Sequence, residues 1–196
     1  MIKLLKLLSS GLGALFWILL MLGFDDISMT ALTLLAAAIH EIGHIFAIYF
    51  TEGRGIFMPY PTLNGLRLKT GRTLSYNEEI CVCLFGPLFN LICFMITLPF
   101  FKEFALINLI TAISNLLPMP SYDGEKILFA MISKRWGPAT AHALISNLVL
   151  ITSFCLCLLS LFLILKLDGG YWIFFVFFAI FLKQIFFFQN HTKIEE

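Results

Sequence analysis

Charge is what this sequence has least of: 13 Lys and Arg and 12 Asp and Glu stand in 196 residues, and the net charge is only +1. So small an excess says nothing about nucleic acid, and no nucleic-acid partner is expected. Internal repeats and low-complexity tracts are also missing, apart from a Phe-rich stretch near the C-terminal end, so no solenoid or linker architecture applies. Polar segments long enough to make a sizeable soluble domain are absent. Cysteine is sparse and odd in number, at five, and every one lies in an apolar stretch. Buried, unpaired thiols are expected. The one-residue gaps in Cys81-x-Cys83 and Cys155-x-Cys157 put each pair on diverging helix faces, which is poor geometry for a shared metal.

Hydrophobic residues fill the space that charge leaves. They make up 60% of the chain, 22 of the residues are Phe, and mean hydropathy is +0.93. These values fall in the multi-pass membrane class. The apolar runs predict an all-α polytopic membrane protein of about six transmembrane helices, at about residues 7–22, 29–50, 80–101, 104–117, 139–165 and 170–188. One domain over 1–190 and a short polar tail over 191–196 follow. Between the second and third spans the composition changes. Pro59, Pro61, Asn64-Gly65 and the alternation Leu66-Arg67-Leu68-Lys69 predict a small β-hairpin beside the membrane. Its free edge can pair with an extended substrate. Basic residues set the orientation. With the N-terminus in the cytosol, Lys3, Lys6, Arg54, Arg67, Lys69, Arg72 and Arg135 fall on the cytosolic side, whereas Lys102 and Lys166 fall outside. Both termini and the hairpin are therefore expected in the cytosol.

Within the second span stands His40-Glu41-Ile42-Gly43-His44. Ionisable side chains in a span are expensive and by default mark a functional site. Positions i and i+4 share a helix face, so His40 and His44 can bind one metal ion, and Glu41 beside them can act as general base. The flanking Ala36, Ala37, Ala38 and Ile45, Phe46, Ala47 leave no wet face for a merely solvated cluster. His40 lies roughly 16 Å along the helix from Met29, at about 1.5 Å per residue, nearer the cytosolic side.

A catalytic zinc site takes three protein ligands and keeps one position open. Asp123 is the leading candidate for the third ligand, because it follows a helix broken by Pro118 and Pro120 on the same side of the membrane. Glu125, Glu52 and His142 are weaker candidates. One zinc ion per chain would acidify a water that Glu41 deprotonates, and peptide bonds are the natural target. Asn115 is the polar side chain best placed in the sequence to stabilise the oxyanion and hold substrate backbone.

His40-Glu41-Ile42-Gly43-His44, taken with Asn115-x-x-Pro118-x-Pro120-x-x-Asp123-Gly124, resembles the two-part signature of the site-2 proteases. Gly86-Pro87, followed by Asn90, resembles the family's glycine-containing motif in an intervening span. The resemblance covers about residues 10 to 190 and is nearest to the bacterial sporulation branch. It implies an intramembrane zinc metalloprotease with His40, His44 and Asp123 as ligands, Glu41 as base and Asn115 orienting substrate. It also implies a membrane-embedded or membrane-tethered protein substrate such as a pro-sigma factor, and is compatible with an inhibitory membrane protein and with homo-oligomers. The location implied is a bacterial inner membrane. Two departures stand out. Sporulation members continue into a cytosolic CBS domain where this chain stops at Glu196, and Glu125 occupies the place of a second glycine. Two rival readings remain: a catalytically silent zinc-bound scaffold, and a membrane zinc protease whose third ligand is Glu125.

Overall fold

A computed structural model describes residues 27–52, 58–62, 65–69, 74–120, 122–167, 177–178, 181–182 and 185. The first expected span (7–22) and the tail (191–196) lie outside the described residues, as does most of the last span (170–188). Among the described residues the helices are α1 (Ile27–Glu52), α2 (Tyr76–Thr97), α3 (Lys102–Asn115), α4 (Asp123–Trp136) and α5 (Pro138–Leu167). Two strands, β1 (Met58–Thr62) and β2 (Gly65–Lys69), pair antiparallel between α1 and α2, with Tyr60 opposite Arg67 and Thr62 opposite Gly65.

Three of the helices are long and apolar enough to cross a membrane: Ile27–Thr51, Tyr76–Thr97 and Pro138–Lys166. Side-chain placement fits a membrane protein. Ala36, Ala105 and Ala112 are fully buried, whereas Phe100 is 89% exposed and Leu165 is 73% exposed. In lipid, helices associate through small residues and interhelical hydrogen bonds, and large apolar side chains turn outward. The five cysteines are free thiols.

The structure shifts two expected boundaries. The third span starts at Tyr76, not Ile80, because Ser75 caps the helix. Its hydroxyl accepts from the Glu78 backbone N–H, while the Glu78 carboxylate accepts from the Ser75 N–H at 2.8 Å. This reciprocal capping box turns four polar residues into a helical turn. The fourth expected span, 104–117, is the 14-residue α3. At about 1.5 Å per residue it reaches about 21 Å, short of the roughly 30 Å hydrocarbon core.

The chain forms two compact units, Met1–Asn115 and Leu116–Glu196. In the first, α1, α2 and α3 pack mutually. Gly43 sits where α1 meets α2: a Cβ there would strike the Phe85 carbonyl and come within 3.0 Å of the Gly86 Cα. Ala47, Ile48 and Val82 form a small apolar cluster with Leu74 and Phe85 at that crossing. In the second unit, α4 packs on α5. Gly137, at φ 86°, ends α4 in a conformation that favours glycine, and Pro138 opens α5, where its missing N–H costs nothing.

Candidate metal centre

His40 and His44 lie one turn apart on α1, His40 buried at 5% exposure and His44 half-buried. Their ring centroids are 4.7 Å apart and the rings are nearly perpendicular, at 86°. The two Nε2 atoms face each other at 3.1 Å.

The partners on the far side of each ring settle which nitrogens carry protons. The Nδ1 of His44 is 2.8 Å from the Val82 carbonyl oxygen, which can only accept, so Nδ1–H donates. The Nδ1 of His40 is 2.8 Å from Asn90 Oδ1 and donates to it. In its neutral form each ring then keeps its lone pair on Nε2, and the two lone pairs would converge. Two lone pairs at this distance repel unless a cation or a proton lies between them. Zinc–nitrogen bonds of about 2.0–2.1 Å, arranged tetrahedrally, hold two nitrogens about 3.3 Å apart. The observed separation is close to that, and the second-neighbour hydrogen bonds are those that metal-ligating histidines make. The pair fits a metal on geometry and on donor chemistry.

The local sequence explains how the rings are held. Gly86, on α2, lies against both imidazoles. A Cβ there would come within 2.5 Å of His44 Cε1 and Nε2 and within 2.8 Å of His40 Cε1. The next residue, Pro87, has no N–H, so the turn containing Val82 and Cys83 lacks one of its ordinary helical bonds. Asn90, fully buried, also donates to the Ala36 carbonyl at 2.9 Å and to Asn108 Oδ1 at 2.9 Å. Glu41 is half-buried beside His40.

Asn115 is the last residue of α3. Its Nδ2 donates to the Thr111 carbonyl of its own helix at 2.9 Å. One amide N–H is thus committed to its own helix.

In the second unit, Asp123 opens α4 and is 2% exposed. Lys126, one turn on, donates to its Oδ1 at 2.9 Å. The preceding loop holds it tightly. Met119, fully buried, donates from its N–H to the Leu117 carbonyl, and the Tyr122 N–H donates to the Met119 carbonyl. A Cβ on Gly124 would strike the Leu116 carbonyl oxygen and come within 2.5 Å of Leu117 O, so the loop lies directly on the first turn of α4. Burial pushes the Tyr122 phenol above its ordinary value. Glu125 is half-buried in the same first turn, where a carboxylate is favoured by the helix dipole. His142 is exposed and its ring packs on Phe129, centroids 4.7 Å apart. The Glu52 side chain lies outside the described residues. Sequence reasoning passed over Asn108 and the Val82 carbonyl, and treated Gly86 only as part of a motif.

Comparison with known proteins agrees with this geometry. The model of peptidase family M50 matches residues 94–160. The chain is 33% identical over 191 residues to Stage IV sporulation protein FB of Bacillus subtilis (strain 168), an alignment covering 86% of this chain and 62% of the relative. The chain thus spans about three-fifths of that relative's length. The site-2 protease from Methanocaldococcus jannaschii has the same fold, with a TM-score of 0.63 at 20% identity, over 90% of this chain and 86% of that one. Paired imidazoles in a membrane helix, the matched family model and the sporulation relative converge: residues 94–160 match peptidase family M50, and the chain is similar to a sporulation protein and, in fold, to a site-2 protease.

Proposed function

We propose that this chain is an intramembrane zinc endopeptidase that cuts membrane-embedded or membrane-tethered proteins. The observation that carries the reading is the pair of Nε2 lone pairs converging at 3.1 Å, each held by a fixed Nδ1–H donor. Asp123 is the third ligand in this reading, by its place in the Pro118-x-Pro120-x-x-Asp123-Gly124 motif. When bound, zinc supplies a Lewis acid that polarises a peptide carbonyl and lowers the pKa of a water. Glu41 accepts the proton from the attacking water and returns it to the leaving amine nitrogen. Asn115, with one N–H spent on Thr111, offers its Oδ1 to a substrate backbone N–H.

The hairpin presents the substrate in this reading. Pro59 and Pro61 remove donors from one edge of β1, so β2 is the edge with a full set of groups for strand addition. Six spans, cytosolic termini and a site on the cytosolic side complete the proposed topology, and the two units act as a single protease domain. The name of the sporulation relative supports a role in sporulation. A membrane-tethered pro-sigma factor is the proposed substrate class.

Glu41→Gln tests the chemistry. Expected is a full complement of zinc and a loss of cleavage of a membrane-tethered reporter of at least about a hundredfold, the lower reach of general acid–base catalysis. Undiminished cleavage sinks the mechanism. Zinc bound by the unaltered chain with no cleavage of any co-expressed membrane substrate would favour a silent scaffold. Asp123→Ala should lose zinc and Glu125→Ala should keep it. The reverse result would make Glu125 the third ligand.

A further inference from the structure

The hydrogen bonds around His40 continue one residue further than the ring's own partner. Asn108, fully buried on α3, accepts from Asn90 Nδ2 through its Oδ1 at 2.9 Å and donates through its Nδ2 to the Phe104 carbonyl at 2.9 Å. A backbone carbonyl only accepts, so Phe104 O forces the NH2 of Asn108 toward itself and the oxygen of Asn108 toward Asn90. Asn90 must then answer with an N–H. Its second N–H is taken by the Ala36 carbonyl, again a pure acceptor. With both N–H bonds of Asn90 placed, only its oxygen remains to face His40 Nδ1. His40 Nδ1 must then carry a proton, which in the neutral ring leaves the lone pair on Nε2.

We propose that Asn108 is a positioning residue that, through Asn90, fixes the tautomer and ring orientation of His40. The inference rests on the zinc reading above for its consequence, although the tautomer itself does not depend on it. Nothing in this chain of bonds reaches the substrate, so Asn108 acts on binding of the metal alone. The burial of both amides gives the device its force. Neither can turn to water, and a flipped amide would set N–H against N–H or oxygen against oxygen at each junction.

The test uses the full-length chain in lipid nanodiscs, labelled with 15N in histidine, with the His40 signal assigned by its loss in His40→Gln. Before zinc is added, the unaltered chain should show His40 protonated only at Nδ1. Asn108→Leu, similar in size and unable to accept, should show a second population protonated at Nε2. Its zinc affinity, read by competition with a chelator, should fall about tenfold, at the low end of outer-layer effects. Asn108→Asp should restore both readings to near those of the unaltered chain. Buried there, the acid keeps its proton, donates it to Phe104 O and still accepts from Asn90. The inference is overturned by an Nε2–H tautomer in the unaltered chain, by an unchanged tautomer and affinity in Asn108→Leu, or by Asn108→Asp faring no better than Asn108→Leu. Should Asn108→Leu fail to accumulate, the unaltered chain and Asn108→Asp decide alone. An unaltered chain that binds no zinc sinks the metal reading and leaves the tautomer result standing.

Discussion

Gly86 is a place where helix propensity and site geometry point in opposite directions. Gly inside a helix costs roughly 0.5–1 kcal/mol relative to Ala, yet a Cβ here would intrude on both imidazoles, 2.5 Å from His44 Nε2 and 2.8 Å from His40 Cε1. Gly86→Ala should therefore leave helix content by circular dichroism unchanged while zinc affinity, measured against a chelator, falls at least about tenfold. Unchanged affinity would mean that the rings can withdraw without cost. The histidines and Glu41 were legible in the sequence because their chemistry depends on spacing along one helix. Asn108 was not, because its importance comes from what it touches 18 residues away, an amide that itself touches a histidine 50 residues away. The Val82 carbonyl had no signature at all, since every residue carries one.

Elements show a similar division. The end of α4 at Trp136 could be read from Gly137-Pro138, since that pair stops one helix and opens another whatever surrounds it. The start of α2 could not be read from hydropathy, because Tyr76-Asn77-Glu78-Glu79 are polar and join the helix only through the capping box at Ser75. Ser75→Ala should cost about 1 kcal/mol. Hydrogen exchange should quicken at the Asn77, Glu78 and Glu79 amides while that at Asn90 stays slow. Uniform exchange along α2 would show that packing alone holds its first turn. The Pro118–Pro120 segment was recognisable as a break. That it lies on α4 closely enough to exclude a Cβ at Gly124 was not, because the approach is made by the backbone of Leu116 and Leu117. Gly124→Ala should displace this loop, and with it the buried start of α4. Zinc lost in Gly124→Ala but kept in Gly137→Ala, a glycine with nothing within 4 Å, would separate close packing from helix termination.

For the whole molecule, membrane class was plain from composition, because lipid as solvent demands long apolar helices and leaves little room for charge. The number of crossings was less plain. α3 is apolar enough to resemble a span but stops at 14 residues, with Asn108 fully buried inside it. Orientation follows from charge placement and has a direct test. In a variant with its natural cysteines replaced, Arg67→Cys should react with an impermeant maleimide only from the cytosolic face, and Lys166→Cys only from the opposite face. Labelling of both from one side would overturn the six-span topology. Zinc should also stabilise the whole fold, by about 2.7 kcal/mol at a hundredfold excess over its dissociation constant. A thermal scan should show this stabilisation, and His44→Ala should abolish it.

The two histidines are tied to their surroundings by different kinds of bond. His40 leans on a side chain, Asn90, whereas His44 leans on the Val82 backbone carbonyl of α2. Substitution can retune the first tie. Only bodily movement of α2 can alter the second. Both ties run to α2, because Asn90 and Val82 lie on that one helix, so a shift of α2 would carry both rings with it.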